Sequence, residues 1–194
     1  MKNKAYKRFV FIDTETGGII PKKHSLLSIG LAVWDKDIGI LDQTEFYIYS
    51  KRYFITQKAK EINKFNRAEH NLIAKEPKVV INDMLNFLYK YFDKDYAIPL
   101  IGHNVQFDIN FLKVLFENNS RSFNQYFSHR VIDTYSVYKT LEISNRINGI
   151  INSSSDAFKY FGIKVNNRHN ALADCIATVE LYEKLIKLIQ NDNI

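Results

Sequence analysis

The chain is expected to form one α/β domain, a five-stranded mixed sheet flanked by helices. Two observations predict this class. Apolar runs suited to strands open the chain as a meander before helical periodicity takes over. A strand–helix–strand–helix succession then follows, which calls for parallel pairing. With 194 residues, 46% hydrophobic and 14% aromatic, the chain can bury a core without crosslinks. No repeat, linker or low-complexity tract divides it, so residues 1–194 are expected to be a single domain.

Residues 8–13 (RFVFID) are an apolar run ending in an acid, as a buried strand would be. Residues 28–34 (SIGLAVW) and 44–49 (TEFYIY) supply two more strands, with hairpin turn chemistry at Asp35–Gly39. From Thr56 the pattern turns helical (TQKAKEINKFNRAEHNL). Pro77 suits the first turn of a helix over 77–92, with Val80, Met84, Phe87, Leu88 and Tyr91 on one face. Residues 97–102 (AIPLIG) form a short strand. The helix after it, 107–118, has Phe107, Phe111, Leu112 and Leu115 at helical spacing. Arg130–Ile132 is a fifth, short strand, and Asp133 is placed to cap a helix over 134–141. A polar, Asn-rich loop (144–154) leads to a short helix near 154–161 that stops at Gly162. The last helix takes Asn170 as its N-cap and runs to about Gln190, with Leu172, Ile176, Val179, Ile186 and Ile189 as its buried stripe.

One cysteine, Cys175, leaves no internal disulfide and fits a reducing compartment. The apolar run before Asp13 is only Phe9–Ile12, shorter than the roughly 7–15 residues of a signal peptide, and no run reaches membrane length. A cytoplasmic protein without membrane contact is expected. The net charge of +6 permits a polyanionic partner. The basic residues are dispersed (Lys2, Lys4, Lys7 and Arg8; Lys22 and Lys23; Lys51 and Arg52), so each reads first as solvated surface charge.

Three short segments carry the chemistry: FIDTETGG (11–18), GHNVQFD (102–108) and HNALADC (169–175). Asp13 and Glu15 stand two apart at a strand end, on one face. Such a pair is either surface charge or a site for a hard cation, which relieves the repulsion of adjacent carboxylates. Thr16-Gly17-Gly18 follows and admits close backbone approach by a ligand. Asp108 opens a helix after a strand, where it offsets the helix dipole or serves a site. His103 reads as structural. His169 precedes the last helix and Asp174 lies in its second turn. They serve either capping and dipole roles or a pocket in which a neutral imidazole takes a proton from water.

Taken together and in this order, the segments resemble the three exonuclease motifs of the DnaQ-like 3′–5′ exonucleases. The histidine five residues before the last acid matches the DEDDh branch, which includes the proofreading epsilon subunit of bacterial DNA polymerase III and RNase T. AKEINKF (59–65) and SSSDAFKYFGI (153–163) extend the resemblance, which covers about residues 8–188. Two positions depart from the family: Ser28 stands where an acid is frequent, and Lys64 where a glycine is common.

The resemblance implies a ribonuclease H-like fold and two divalent cations, Mg²⁺ or Mn²⁺, held by Asp13, Glu15, Asp108 and Asp174. It implies His169 as general base and release of nucleoside 5′-monophosphates from the 3′ end of single-stranded nucleic acid, DNA before RNA. The expected contacts to the terminal nucleotide are the backbone at Thr14, Thr16 and Gly17, the side chains of Leu26, Leu27, Asn63 and Phe65 for stacking or wedging, and Asn104 and His169. Phe65 fits the core equally well, and Asp133 either supports the site or only caps its helix. A DNA polymerase or a second copy of the chain, as a homodimer, are the protein partners in view. A nucleic-acid-binding module with a dead site and a polymerase-associated interaction subunit stand as alternatives. The short NDNI stretch after Gln190 favours a free-standing enzyme over a tail-docked subunit.

Overall fold

The computed structural model describes residues 7–149, 151–166 and 168–190; Lys2, Lys4 and the NDNI stretch of the sequence reading lie outside these. The first strand, β1 (Arg8–Thr16), runs past the expected end at Asp13, so Asp13 and Glu15 both lie inside it. β2 (Leu26–Asp35) and β3 (Gly39–Tyr47) continue it as an antiparallel meander. Their turn closes where Asp35 Oδ1 accepts the Asp37 N–H at 3.0 Å and Gly39 adopts φ +94°, a conformation open to glycine. β4 (Ile98–Gly102) lies parallel to β1, and β5 (Phe127–Asp133) parallel to β4. The sheet order is β3-β2-β1-β4-β5, the expected five-stranded mixed sheet with β1 at its centre.

Alternation along β1 sorts its side chains between two helical layers. Val10 and Ile12 join a core with α3 (Pro77–Leu88) and α4 (Gln106–Glu117). Phe11 and Phe9 face the other way, onto Cys175, Val179 and Tyr182 of α7 (Ala171–Gln190), with Trp34 of β2 wedged edge-on among the rings. Outside α7 lie α5 (Thr134–Ile143) and α6 (Ser154–Tyr160), packed around Tyr138, Phe158 and Leu181.

Several boundaries differ from the sequence reading for identifiable reasons. The helical stretch after Thr56 is two helices, α1 (Gln57–Ile62) and α2 (Arg67–Ile73). Lys64 takes φ +48° and breaks the run, and Asn66 restarts it by accepting the Ala68 N–H at 3.0 Å. α3 stops at Leu88, and Tyr91 beyond it donates its hydroxyl to Asp42 at 2.8 Å. β5 begins earlier than expected because Phe127 is a core residue. Val179 is buried as expected, and Ile176 and Ile186 pack beside it, but Ile189 is 48% exposed and the fully buried face of α7 also takes in Ala171, Cys175, Thr178, Leu181 and Leu185. Among the described residues, no helix is long and apolar enough to cross a membrane.

Candidate active site

The carboxyl end of β1 is where the two layers meet the three motif segments. Asp13 and Glu15 share the α7 face with Phe9 and Phe11. Opposite Asp13 in the β1–β2 register stands Gly30. A Cβ on Gly30 would collide with the backbone of Ala171, the first residue of α7. The bare strand position therefore seats the start of that helix directly over the acid pair. Asn170 caps it as expected, accepting the Ala173 N–H at 2.9 Å while its amide donates to Glu45 Oε2 of β3 at 2.8 Å.

Within the first turn of α7, Asp174 is buried, and its Oδ2 accepts the His169 backbone N–H at 3.2 Å. His169 is exposed and held at φ +65°, a conformation strained for a non-glycine residue. Glu15, His169 and Asp174 each offer a ligand atom, and these atoms lie within 4.8 Å of one another.

Asp108 arrives from the opposite side of the sheet. It sits in the first turn of α4, buried, and accepts the Thr14 hydroxyl proton at 2.6 Å. Thr14, between Asp13 and Glu15, points through to that layer. The turn before α4 is pinned by Asp133, whose Oδ1 accepts both the Asn104 and the Tyr135 N–H at 2.9 Å. Asp133 is thus a helix cap that also fixes the motif turn. Asn104 holds φ +57° with an exposed side chain, and His103 Nδ1 is 3.1 Å from the Thr134 hydroxyl, a structural contact.

The electrostatics bind the four acids into one site. Burial, then repulsion from Asp108, Asp174 and Glu15, holds Asp13 well above the usual carboxylate range. Burial and the charge of Asp174 push Glu15 up to about 8. Burial raises Asp108 to about 7 against the opposing Thr14 hydrogen bond. Asp174 Oδ1 is buried without a hydrogen bond. Arg168 Nη1 lies 2.7 Å from it, but the approach is Coulombic and out of line for a hydrogen bond. A cluster of buried, mutually repelling oxygens suits hard divalent cations, so the residues present fit such a group.

The expected nucleotide contacts fare unevenly. Gly17 is a glycine because the carbonyl of Phe54 fills the space a Cβ would need, so protein backbone, not a ligand, occupies the close approach. Its N–H and C=O are both taken, by Ser25 O and the Thr56 N–H at 2.7 Å each. Thr16 Oγ1 donates to Gly18 O at 2.9 Å, and Asn63 braces the strand by donating to Thr16 O at 2.9 Å. Leu26 and Leu27 are buried, Leu27 to 3% exposure, which leaves no open face for stacking. The Phe65 ring centroid is 5.1 Å from those of both Tyr53 and His70, in an aromatic cluster of the protein's own.

Two residues at the site escape the sequence reading. Arg168 precedes His169 and hydrogen-bonds Ser155 Oγ of α6 at 2.9 Å while facing Asp174; a cation abutting a motif of acids was the available signal. Glu45 reaches the site through Asn170 and adds to the repulsion on Glu15, with one carboxylate oxygen buried and unpartnered. Nothing local to TEFYIY marks it.

A family model described as an exonuclease, of the RNase T type, matches residues 10–182. The chain belongs to this exonuclease family. It is an enzyme of the DnaQ-like group, as the three segments implied. Among curated relatives, it is 24% identical over 182 residues to the DNA polymerase III subunit epsilon of Treponema pallidum, covering 92% of this chain and 76% of that one. It is 25% identical over 187 residues to the PolC-type DNA polymerase III of Caldanaerobacter subterraneus, 94% of this chain but 12% of that much longer protein. Among solved structures, Escherichia coli exonuclease I, in a zinc-bound complex with single-stranded DNA, superposes with a TM-score of 0.79 at 21% identity, over 95% of this chain. The chain spans 41% of that protein's length. Cell-death related nuclease 4 superposes with a TM-score of 0.74 at 11% identity over 94% of this chain, 64% of its own. These likenesses identify the mixed sheet with its flanking helices as the ribonuclease H-like exonuclease fold.

Proposed function

We propose that the chain removes nucleotides one at a time from the 3′ end of single-stranded nucleic acid, DNA before RNA, releasing nucleoside 5′-monophosphates. The observation that supports this most is the convergence of Asp13, Glu15, Asp108 and Asp174, with His169 at the rim, on one strand end. Asp13, Glu15 and Asp174 would hold one divalent ion, Mg²⁺ or Mn²⁺, and Asp13 with Asp108 a second. Such ions supply charge stabilisation to both the attacking and the leaving oxygen of an in-line displacement. His169, exposed and beside Glu15 and Asp174, takes the proton of the attacking water through its imidazole. Thr14 orients Asp108 through its hydroxyl. Asn104 and the backbone at Thr14 and Thr16 meet the terminal nucleotide; Leu27, Asn63 and Phe65 act behind them as the wall that holds this strand end in place.

The test is a matched panel of 5′-labelled single-stranded DNA, single-stranded RNA and a duplex with a mismatched 3′ end. We expect stepwise shortening from the 3′ end of single-stranded DNA with Mg²⁺ or Mn²⁺ and none in EDTA. Undiminished cutting in EDTA, or shortening from the 5′ end, would refute the reading. The likeness to the Treponema subunit favours a polymerase as protein partner.

A further inference from the structure

Against the Gly17 end of β1, which continues from Asp13 and Glu15, lie two grooves that share Arg52 in their linings. One, of about 570 Å³, has Lys22, Lys23, Arg52 and Phe54 at its rim, over Leu26 and Phe111. The other, of about 500 Å³, is lined by Arg52, Tyr53, Lys60, Phe65 and Arg67. Neither lining contains an aspartate or glutamate. None of the five cations has an ion-pair partner among the described residues. Their counter-charge is therefore open to a ligand. Cations also alternate with ring faces here. The Arg52 guanidinium lies 4.9 Å from the centroid of Phe54, and that of Arg67 lies 5.8 Å from the centroid of Tyr53. Phe54 is 48% exposed, enough to offer a face for stacking.

The grooves are built from the same backbone as the acids. Leu26 pairs with Thr16 across β1 and β2, and Phe111 follows Asp108 within one turn of α4. Ser25 donates its N–H to Phe54 O at 3.1 Å, and Thr56 donates to Gly17 O at 2.7 Å. Aromatic faces among cations match bases among phosphates, which is how single strands are held without reading their sequence. An acidic peptide would satisfy the cations and leave the ring unused.

We propose that the two grooves form a track for single-stranded polynucleotide upstream of the terminal nucleotide, with Phe54 as its stacking platform and Lys22, Lys23 and Arg52 against the phosphates. The placement rests on the exonuclease reading of the adjoining acid pocket.

Fluorescence anisotropy in EDTA tests the track, using oligothymidylate of about 12 nucleotides against the dinucleotide. The long strand should bind much more tightly. Lys22→Ala, Lys23→Ala and Arg52→Ala combined should flatten the plot of log affinity against log salt by about 2, roughly 0.7 per lost cation. Phe54→Ala should weaken binding about 5- to 100-fold and leave that slope unchanged. Arg52→Gln, which keeps most of the stem, should still lower the slope, separating charge from packing. Equal affinity for long and short strands, an unchanged slope in the triple variant, or displacement of the strand by polyglutamate at matched charge would each overturn the track. If length-dependent binding is observed but no cutting occurs with Mg²⁺ or Mn²⁺, the catalytic reading fails and the track is upheld. Cutting with no length dependence gives the reverse result.

Discussion

Asp108 and Asp174 occupy the same local setting and are held in opposite ways. Each lies in the first turn of a helix, buried, at the end of a motif segment. Asp108 is tied to a neutral hydroxyl of the central strand at 2.6 Å. Asp174 faces a cation at 2.7 Å, keeps one buried oxygen without a hydrogen bond, and shares its other with the His169 backbone. One carboxylate is fixed by a hydroxyl from the central strand, and the other is buried with one oxygen left unbonded. Position in a helix thus does not determine what a buried acid does; the partner supplied from the neighbouring layer does.

The sharpest way to break this contrast is at Asp174 itself. Asp174→Asn should lower exonuclease turnover by more than the roughly 10- to 100-fold that loss of an outer partner costs, with the fold retained by circular dichroism. His169→Ala comes next, costing about 10²–10⁴-fold in turnover with Mn²⁺ binding largely kept. A loss below threefold would reduce His169 to a capping role, roughly the scale of a surface change. Thr14→Val probes the other side. It strips Asp108 of its hydrogen bond, so stability to urea should fall by about 1–3 kcal/mol and turnover by only about 10- to 100-fold. If Thr14→Val were as damaging as Asp174→Asn, the contrast between the hydrogen-bonded acid and the one with an unbonded oxygen would fail.

The mildest effect expected is that of pH. In the folded chain Glu15 rises to about 8 and Asp108 to about 7, against ordinary values of 4.5 and 3.8. The native state then holds protons that the unfolded chain has released, so unfolding free energy falls as pH rises through this window. Without divalent ions the protein should be most stable below about pH 4 with respect to these two groups and lose that stability progressively toward pH 8. Thermal melts in EDTA should show the decline, and Mg²⁺ should flatten it. A melt temperature independent of pH in EDTA would mean the acids do not share one pocket.

Much of this was legible in the chain. Alternation in RFVFID, the pairing of Asp13 with Glu15 and the Asn170 cap all follow from local rules that the structure obeys. The split of the helix after Thr56 was not, because polar helical periodicity continues through Lys64 and only its φ of +48° reveals the break. Lys64, where the resemblance would place a glycine, thus adopts a backbone that glycine takes more freely. At Gly17 the Phe54 carbonyl takes the close approach expected for a ligand, because a glycine that admits a ligand and one that admits a neighbouring backbone look alike in sequence. The contacts of Thr14 and Glu45 depend on which layer each residue faces and on register with distant strands, information that no single segment contains.

Gly30 has a consequence for motion. Because α7 rests on that bare strand position, a fluctuation that lifts its first turn also carries Asp174 away from Asp13. Local opening at one end of a single helix and loss of the ligand geometry are therefore the same event. Amide exchange at Asp174 and Cys175 should slow when divalent ions are added, so the protection of two backbone protons becomes a direct gauge of how often the site exists.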